Sequence, residues 1–185
     1  MIDVNDLRKG ATFELDGQLY RVLEYSHHKP GRGNATIRTR IRSLRTGATM
    51  EKTFQSGDRV QDIRIETSEM QVLYHDGNLY HLMDTSTFEQ IAMSAQTLGD
   101  AVNYVTDNMM IMVQEHAGEP LGVDLPTTVD LKVTEAEVSV RGDTATGATK
   151  PVTLETGLRV TVPLFVKEGD TIRVDTRTGE YVTRV

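Results

Sequence analysis

The chain has 185 residues, no cysteine, no tryptophan and a formal net charge of −7. Without cysteine it can hold neither a disulfide framework nor a cysteine-ligated zinc ion, and no stretch approaches the roughly 20 apolar residues that span a bilayer. Because the N-terminus lacks a basic segment followed by an apolar run, the sequence predicts a soluble, cytoplasmic protein without a signal peptide.

The net charge conceals a division of the chain into three segments. Residues 1–64 hold 12 Lys/Arg and 8 Asp/Glu, a balance of +4. Residues 65–128 hold 10 Asp/Glu and no Lys or Arg, whereas residues 129–185 are close to neutral at −1. Asymmetry on this scale indicates modules with different partners. The first segment can face phosphate, and the uncompensated carboxylates of the second would be repelled by it.

Strand patterns dominate the chain. Short runs of β-branched or alternating residues are separated by turn dipeptides such as Asp16-Gly17 and Asp76-Gly77, which are typical of hairpins. The predicted strands are Leu19–Glu24, Ala35–Leu44, Thr49–Phe54, Gln71–Tyr74, Leu79–Met83, Val129–Val133, Leu158–Val162 and Thr171–Val174.

Helix patterns are rare by comparison. Leu98–Val105 predicts a short helix with Asp100 as its cap, and a second helical turn is predicted near residues 85–90. No short internal repeat is found. Regular strand spacing is typical of barrels and sandwiches, and the pattern changes together with the charge near residues 64–66 and 126–129. The sequence therefore predicts an all-β protein of three small β-barrels, residues 1–64, 65–128 and 129–185, in an elongated arrangement.

The segment most suggestive of function is HHKPGRGNATIRTRIR, which begins at residue 27. Pro30 fixes one backbone angle, while Gly31 and Gly33 permit angles closed to other residues, so Arg32 is expected at an exposed apex. The alternative is a plain β-turn with a polar central residue. The loop is longer than a hairpin needs, and Lys29 makes it more basic.

The strand after this loop carries arginine at every second position. Since side chains of a strand alternate between its faces, Arg38, Arg40 and Arg42 are predicted to line one face. Such a stripe is often only a solvated surface. Here it shares a basic segment with Lys29 and Arg32, which favours a surface that tracks a nucleic-acid backbone.

We find no set of residues that predicts catalysis or metal binding. His27 and His28 would point to opposite faces of a strand, and without a spaced partner they predict no metal site. The sequence has no GxSxG, HExxH, P-loop or dinucleotide fingerprint. We therefore expect no metal, no cofactor and no catalytic residues, although an enzyme stays an alternative because catalytic residues need not be local in sequence.

These motifs together resemble those of bacterial translation elongation factor P. The matching elements are KPGRG at residues 29–33, RTGATMEKTF at 45–54, and Lys150 with Gly157, Val162, Pro163 and Gly169. The resemblance covers essentially the whole chain. It implies an N-terminal SH3-like (KOW-like) barrel followed by two OB-fold barrels in a tRNA-like arrangement, in a monomeric translation factor with no membrane contact.

The resemblance also implies a function. Members of the family bind the ribosome between the peptidyl and exit sites and stimulate peptide-bond formation on stalled polyproline sequences, by positioning the CCA end of peptidyl-tRNA. The loop formed by Lys29, Pro30, Gly31, Arg32 and Gly33 would then reach the peptidyl-transferase centre. The partners implied are rRNA, peptidyl-tRNA and the exit-site stalk protein, which would face the acidic middle segment. The alternative for that segment is a solvated acidic surface without a partner.

Two further expectations follow from the resemblance. A loop of the third segment that reaches the small subunit and the exit-site codon is matched by Gly142, Asp143, Thr144 and Gly147. Many members carry a modified lysine at the apex, and some arginine-type members carry a rhamnosylated arginine. Arg32 is therefore a candidate for modification by a dedicated enzyme, with Lys29 as the alternative acceptor. A paralogue with a different stalling preference and a general OB-fold RNA-binding protein are the alternative functions.

Overall fold

The computed structural model describes residues 1–137 and 148–185, which form three antiparallel sheets. The first sheet has six strands in the order β1-β6-β2-β3-β4-β5. Their bounds are β1 Ile2–Asp3, β2 Thr12–Leu15, β3 Gln18–His28, β4 Thr36–Ser43, β5 Thr49–Gln55 and β6 Arg59–Asp62. A 3-10 turn, Val4–Asp6, follows β1, and the side chain of Asp3 accepts a hydrogen bond from the N–H of Asn5 at its start.

The first sheet curls around its own apolar cluster. Phe13 is fully buried at its centre, with ring centroids 5.7 Å from Tyr20 and 6.1 Å from Phe54. Strand β4 contributes Ile37 and Ile41, because alternate side chains of this strand point inward. The arginines of β4 are thereby left on the outer face.

The second sheet has the order β11-β10-β7-β8-β9. Its strands are β7 Glu66–Asp76, β8 Leu79–Asp84, β9 Gln90–Ser94, β10 Met110–His116 and β11 Glu119–Asp124. Between β9 and β10 lie a single helical turn, α1 (Ala95–Leu98), and a 3-10 helix, Gly99–Asn103. No helix of the described residues has the length and apolar character needed to cross a membrane.

The third sheet has the order β14-β13-β12-β15-β16. Its strands are β12 Thr128–Ala136, β13 Thr149–Leu154, β14 Arg159–Pro163, β15 Thr171–Asp175 and β16 Tyr181–Arg184. Leu131, Ile172 and Val174 lie fully buried in its core. Tyr104, which follows the 3-10 helix, is buried in the same cluster, and the carbonyl of Asn103 accepts a hydrogen bond of 2.6 Å from Thr156.

The chain divides into two compact units. One contains residues 1–68 and 113–122, and the other contains residues 69–112 and 123–185. Within the first unit, Arg45 binds Glu119 through two hydrogen bonds of 2.9 and 3.0 Å. These bonds lower the pKa of the Glu119 carboxyl below its usual value. The division into three barrels at residues 64 and 128 stays a prediction.

The all-β fold is confirmed, and each of the eight predicted strands overlaps an observed one. The predicted helix is displaced, because helix α1 begins after Ser94. The hydroxyl of Ser94, rather than the carboxylate of Asp100, caps it by accepting the N–H of Thr97 at 3.2 Å. Near residues 85–90, where a helical turn was predicted, the N–H of Phe88 donates to the carbonyl of Asp84 at 2.9 Å, which is one helical turn that no helix continues. That segment is a tight turn held by the carboxylate of Asp84, which accepts the N–H groups of Ser86 and Thr87.

Candidate nucleic-acid interface

The loop between β3 and β4 presents Arg32 to solvent. Lys29, Gly31, Arg32 and Gly33 are exposed, and Pro30 is partly covered. Gly33 has a φ of +113°, where a side chain would be strained, and only Pro30 lies within 4.0 Å of the place a Cβ would occupy. Gly31 does not use the left-handed region. Among the described residues Arg32 has no ion pair or hydrogen-bond partner, so its guanidinium is available to a ligand.

The stripe predicted on β4 lies on its outer face. Arg38, Arg40 and Arg42 are exposed, while Ile37, Thr39, Ile41 and Ser43 are buried. The buried hydroxyl of Thr39 donates to the carbonyl of Lys52 at 2.9 Å, so the inward face leaves this polar group satisfied.

The three arginines of the stripe have different electrostatic surroundings. Arg40 forms an ion pair with Glu24 at 3.3 Å and lies opposite Glu51 on β5. Arg38 has uncharged neighbours on both adjacent strands and no ion pair in the described chain.

Arg42, unlike Arg38, has a charged neighbour of the same sign. It lies across from Arg21 on β3, a like-charge pair that is unfavourable in the absence of an anion. Sequence reasoning missed Glu24 as the residue that neutralises the centre of the stripe. Two separated cationic positions, Arg38 and Arg42, thus flank a neutral one at Arg40.

The glycines that carry the C-terminal motif have structural positions in turns. Gly157 and Gly169 have φ values of +87° and +89°. The N–H of Gly157 donates to the carbonyl of Leu154, and that of Gly169 donates to the carbonyl of Val133. Gly142, Asp143, Thr144 and Gly147, predicted to form a loop that reaches the small subunit, lie outside the described residues.

The remaining candidate side chains form no metal centre. Across residues 1–137 and 148–185 there is no group of three His, Asp or Glu side chains that could hold a metal ion. His75 and His81 lie on the β7–β8 hairpin and stack on tyrosines, His81 on Tyr74 at 4.4 Å and His75 on Tyr80 at 5.4 Å.

Three family models match consecutive parts of the chain. Residues 3–60 match the elongation factor P (EF-P) KOW-like domain, residues 65–123 the elongation factor P OB domain, and residues 129–184 the elongation factor P C-terminal model.

Curated relatives and solved structures agree with these matches. Elongation factor P of Moorella thermoacetica is 50% identical over 184 residues, and that of Acetivibrio thermocellus is 50% identical over 185 residues, each covering 100% of both chains. The solved structure of eukaryotic translation initiation factor 5A from Methanococcus jannaschii aligns with a TM-score of 0.56 at 21% identity, covering 64% of this chain and 88% of that one. A factor of the same family from Naegleria fowleri aligns with a TM-score of 0.53 at 15% identity, covering 67% and 94% of the two chains.

Proposed function

Because the chain belongs to the elongation factor P family of translation elongation factors, we propose that it binds the ribosome between the peptidyl and exit sites. There it stimulates peptide-bond formation on stalled polyproline sequences. The observation that carries this proposal is the full-length identity of 50% to bacterial elongation factor P. The partners are rRNA, peptidyl-tRNA and a basic protein of the exit-site stalk, and the site of action is the cytoplasm.

We propose that Arg32 acts by orienting the CCA end of peptidyl-tRNA. Proline is a poor reaction partner because its ring restricts the chain. The factor needs no acid or base, since each tenfold gain in rate requires about 1.4 kcal/mol, which better orientation of the reacting ends can supply. An arginine fork can form two directed hydrogen bonds to a phosphate or a base edge. The exposure of Arg32 and its lack of a partner in the described chain support this role.

The division of the chain completes the proposal. We assign residues 1–64, 65–128 and 129–185 to three domains, which the bounds of the three family models support. Gly142, Asp143, Thr144 and Gly147 would reach the small subunit. Arg32 acts either unmodified or after modification by a dedicated enzyme, and the intact mass of the native protein separates these cases.

Arg32→Ala tests the proposed function directly. In a reconstituted translation assay on a polyproline template, we expect the variant to lose rescue by a factor of about ten or more, because the orienting contact is removed. Its melting temperature should match that of the wild type, since the side chain is exposed. Arg59→Ala removes an exposed arginine of the same barrel outside the loop and should keep full rescue. Undiminished rescue by Arg32→Ala would contradict the proposed role.

The stripe makes a second prediction about RNA binding. Arg38→Gln and Arg42→Gln should each weaken binding to deacylated tRNA and reduce the salt dependence of log K by a slope of about 1, as expected for one lost phosphate contact. Arg40→Gln should change the slope less, because Glu24 already neutralises that charge. Filter binding at several salt concentrations measures all three. Equal slopes for the three variants would show that the pairing with Glu24 has no effect on the interface.

A further inference from the structure

Two turns in different sheets have the same structure. One joins β8 to β9 with the sequence DTSTFEQ, residues 84–90, and the other joins β15 to β16 with DTRTGEY, residues 175–181. Four of the seven positions are identical, so the absence of an internal repeat predicted from the sequence is wrong for this turn.

The hydrogen bonds of the two turns match one by one. The N–H of Asp84 donates to the carbonyl of Glu89, and that of Asp175 to the carbonyl of Glu180, both at 2.9 Å. The carboxylate of Asp84 accepts hydrogen bonds of 2.7 and 2.9 Å from the N–H groups two and three residues later. The carboxylate of Asp175 accepts the corresponding bonds at 2.7 and 3.3 Å. The hydroxyl of Thr87 accepts a hydrogen bond of 3.3 Å from the N–H of Glu89. In the second turn the hydroxyl of Thr178 accepts one of the same length from the N–H of Glu180.

The turns differ at the position that has left-handed backbone angles. Gly179 occupies it in the second turn with a φ of +75°, and Phe88 occupies it in the first with a φ of +61°. Glycine accepts this conformation at no steric cost, whereas a bulky side chain there is a strained exception. The same turn forms with glycine in this chain, so the turn itself does not require the phenylalanine.

Phe88 gains little from its own fold. The side chain of Phe88 is 71% exposed. At the second turn the neighbouring aromatic side chain is that of Tyr104, which lies beside Gly179 and is only 8% exposed. The ring therefore combines backbone strain with almost no burial. Backbone strain of this kind clusters at functional sites, where the surrounding structure maintains it.

The charges around Phe88 select the kind of partner. Glu69 and Glu89 are exposed, and Glu69 is fixed beside the turn by the N–H of Thr85, which donates to its carbonyl at 3.2 Å. Residues 69–112, the stretch of the same compact unit that contains this turn, hold six carboxylates and no Lys or Arg. Such a surface repels nucleic-acid phosphate and attracts a basic surface. An exposed ring within an acidic rim thus matches a basic protein with an apolar pocket.

We propose that Phe88 is the anchor of a protein-docking surface, with Glu69 and Glu89 as its acidic rim, and that its partner is a basic protein surface with an apolar pocket. This inference rests on the proposed function in placing that partner on the ribosome. Aromatic anchors in apolar pockets dominate many interfaces, and acidic rims set the association rate and its salt dependence.

Phe88→Gly is the variant that tests the anchor, because glycine is the residue of the matching turn. We expect its melting temperature to equal or exceed that of the wild type. Its affinity for purified 70S ribosomes should fall by a factor of about ten or more, as for other aromatic anchors. Phe88→Tyr keeps the ring and should retain most of the affinity. A photoreactive benzoylphenylalanine at position 88 should crosslink to a basic ribosomal protein.

The outcomes separate this inference from the proposed function. Wild-type affinity of Phe88→Gly, a lowered melting temperature of that variant, or a crosslink mainly to rRNA would each overturn the docking surface. Rescue on a polyproline template that is lost in Arg32→Ala would leave the proposed function standing in all three cases. A wild-type protein that does not bind 70S ribosomes would overturn both.

Discussion

Gly179→Phe is expected to lower the free energy of unfolding by about 2–4 kcal/mol, the sum of backbone strain and overpacking. Gly179 has a φ of +75°, and a Cβ at this position would lie 3.1 Å from the hydroxyl oxygen of Tyr104. Tyr104 cannot withdraw easily, because it is only 8% exposed and belongs to the core cluster of the third sheet. Urea denaturation, followed by circular dichroism, measures the loss.

A matched glycine separates the two causes. Gly118 has a similar φ of +78°, and no atom lies within 4 Å of the place its Cβ would occupy. Gly118→Phe should therefore carry the strain of about 1 kcal/mol without the collision. Phe88→Gly, the reverse exchange in the other turn, should not destabilise. If Gly179→Phe and Gly118→Phe were equally destabilised, the contact with Tyr104 would have no part in the stability of this turn.

The strands that sequence reasoning found are those with clear alternation or β-branched runs, and three of the eight missed strands have identifiable physical reasons. Strand β13 contains Pro151, which normally argues against a strand interior. Strand β10 begins with four apolar residues, since two of them, Met110 and Met112, occupy its exposed face in place of polar residues. The apolar–polar alternation with a period of two is therefore absent from its sequence. Strand β1 has two residues and forms no pattern at all.

The helix was displaced because the residue that ends it, Gly99, lies inside the predicted range Leu98–Val105. Gly99 has a φ of +59° and a ψ of −131°, which terminates helix α1 instead of continuing it. The residues after it form a 3-10 helix that contains Asp100. The actual cap, Ser94, is also the last residue of β9, a strand that the sequence analysis did not predict.

The candidate site was predictable in its backbone but not in its electrostatics. Proline and glycine content indicated an exposed loop at Arg32, and alternation placed the arginines of β4 on one face. The pairing of Glu24 with Arg40 depends on a β-bulge between Val22 and Glu24, which shifts the register of β3 against β4. A register shift moves side chains between neighbours and cannot be read from one strand alone.

The repeated turn was missed for a similar reason. Its two copies lie in separate segments and share only four of seven residues. Their equivalence becomes visible through matching hydrogen bonds, not through sequence similarity. Comparison of the two turns singles out Phe88 as the unusual residue, since the second turn has glycine at the same position with similar backbone angles.

Phe13→Ala is expected to have the largest effect on the first compact unit. The side chain is fully buried between the rings of Tyr20 and Phe54, and removing such a ring costs about 3–5 kcal/mol. We expect hydrogen exchange of the β3 and β4 amides to accelerate. Strand β12 has a separate core cluster, so its amides should keep their protection.

Hydrogen exchange of the amides of residues 113–122 tests which parts of the chain unfold together. This segment belongs to the same compact unit as the first sheet, to which Arg45 ties Glu119 and a hydrogen bond of 2.9 Å ties His116 to the carbonyl of Arg64. We therefore expect it to lose protection together with β3 and β4 in Phe13→Ala. Leu131→Ala, a matched change in the third sheet, should leave it protected. If residues 113–122 instead kept their protection in Phe13→Ala, the boundary at residue 64 would also be the boundary between cooperative units.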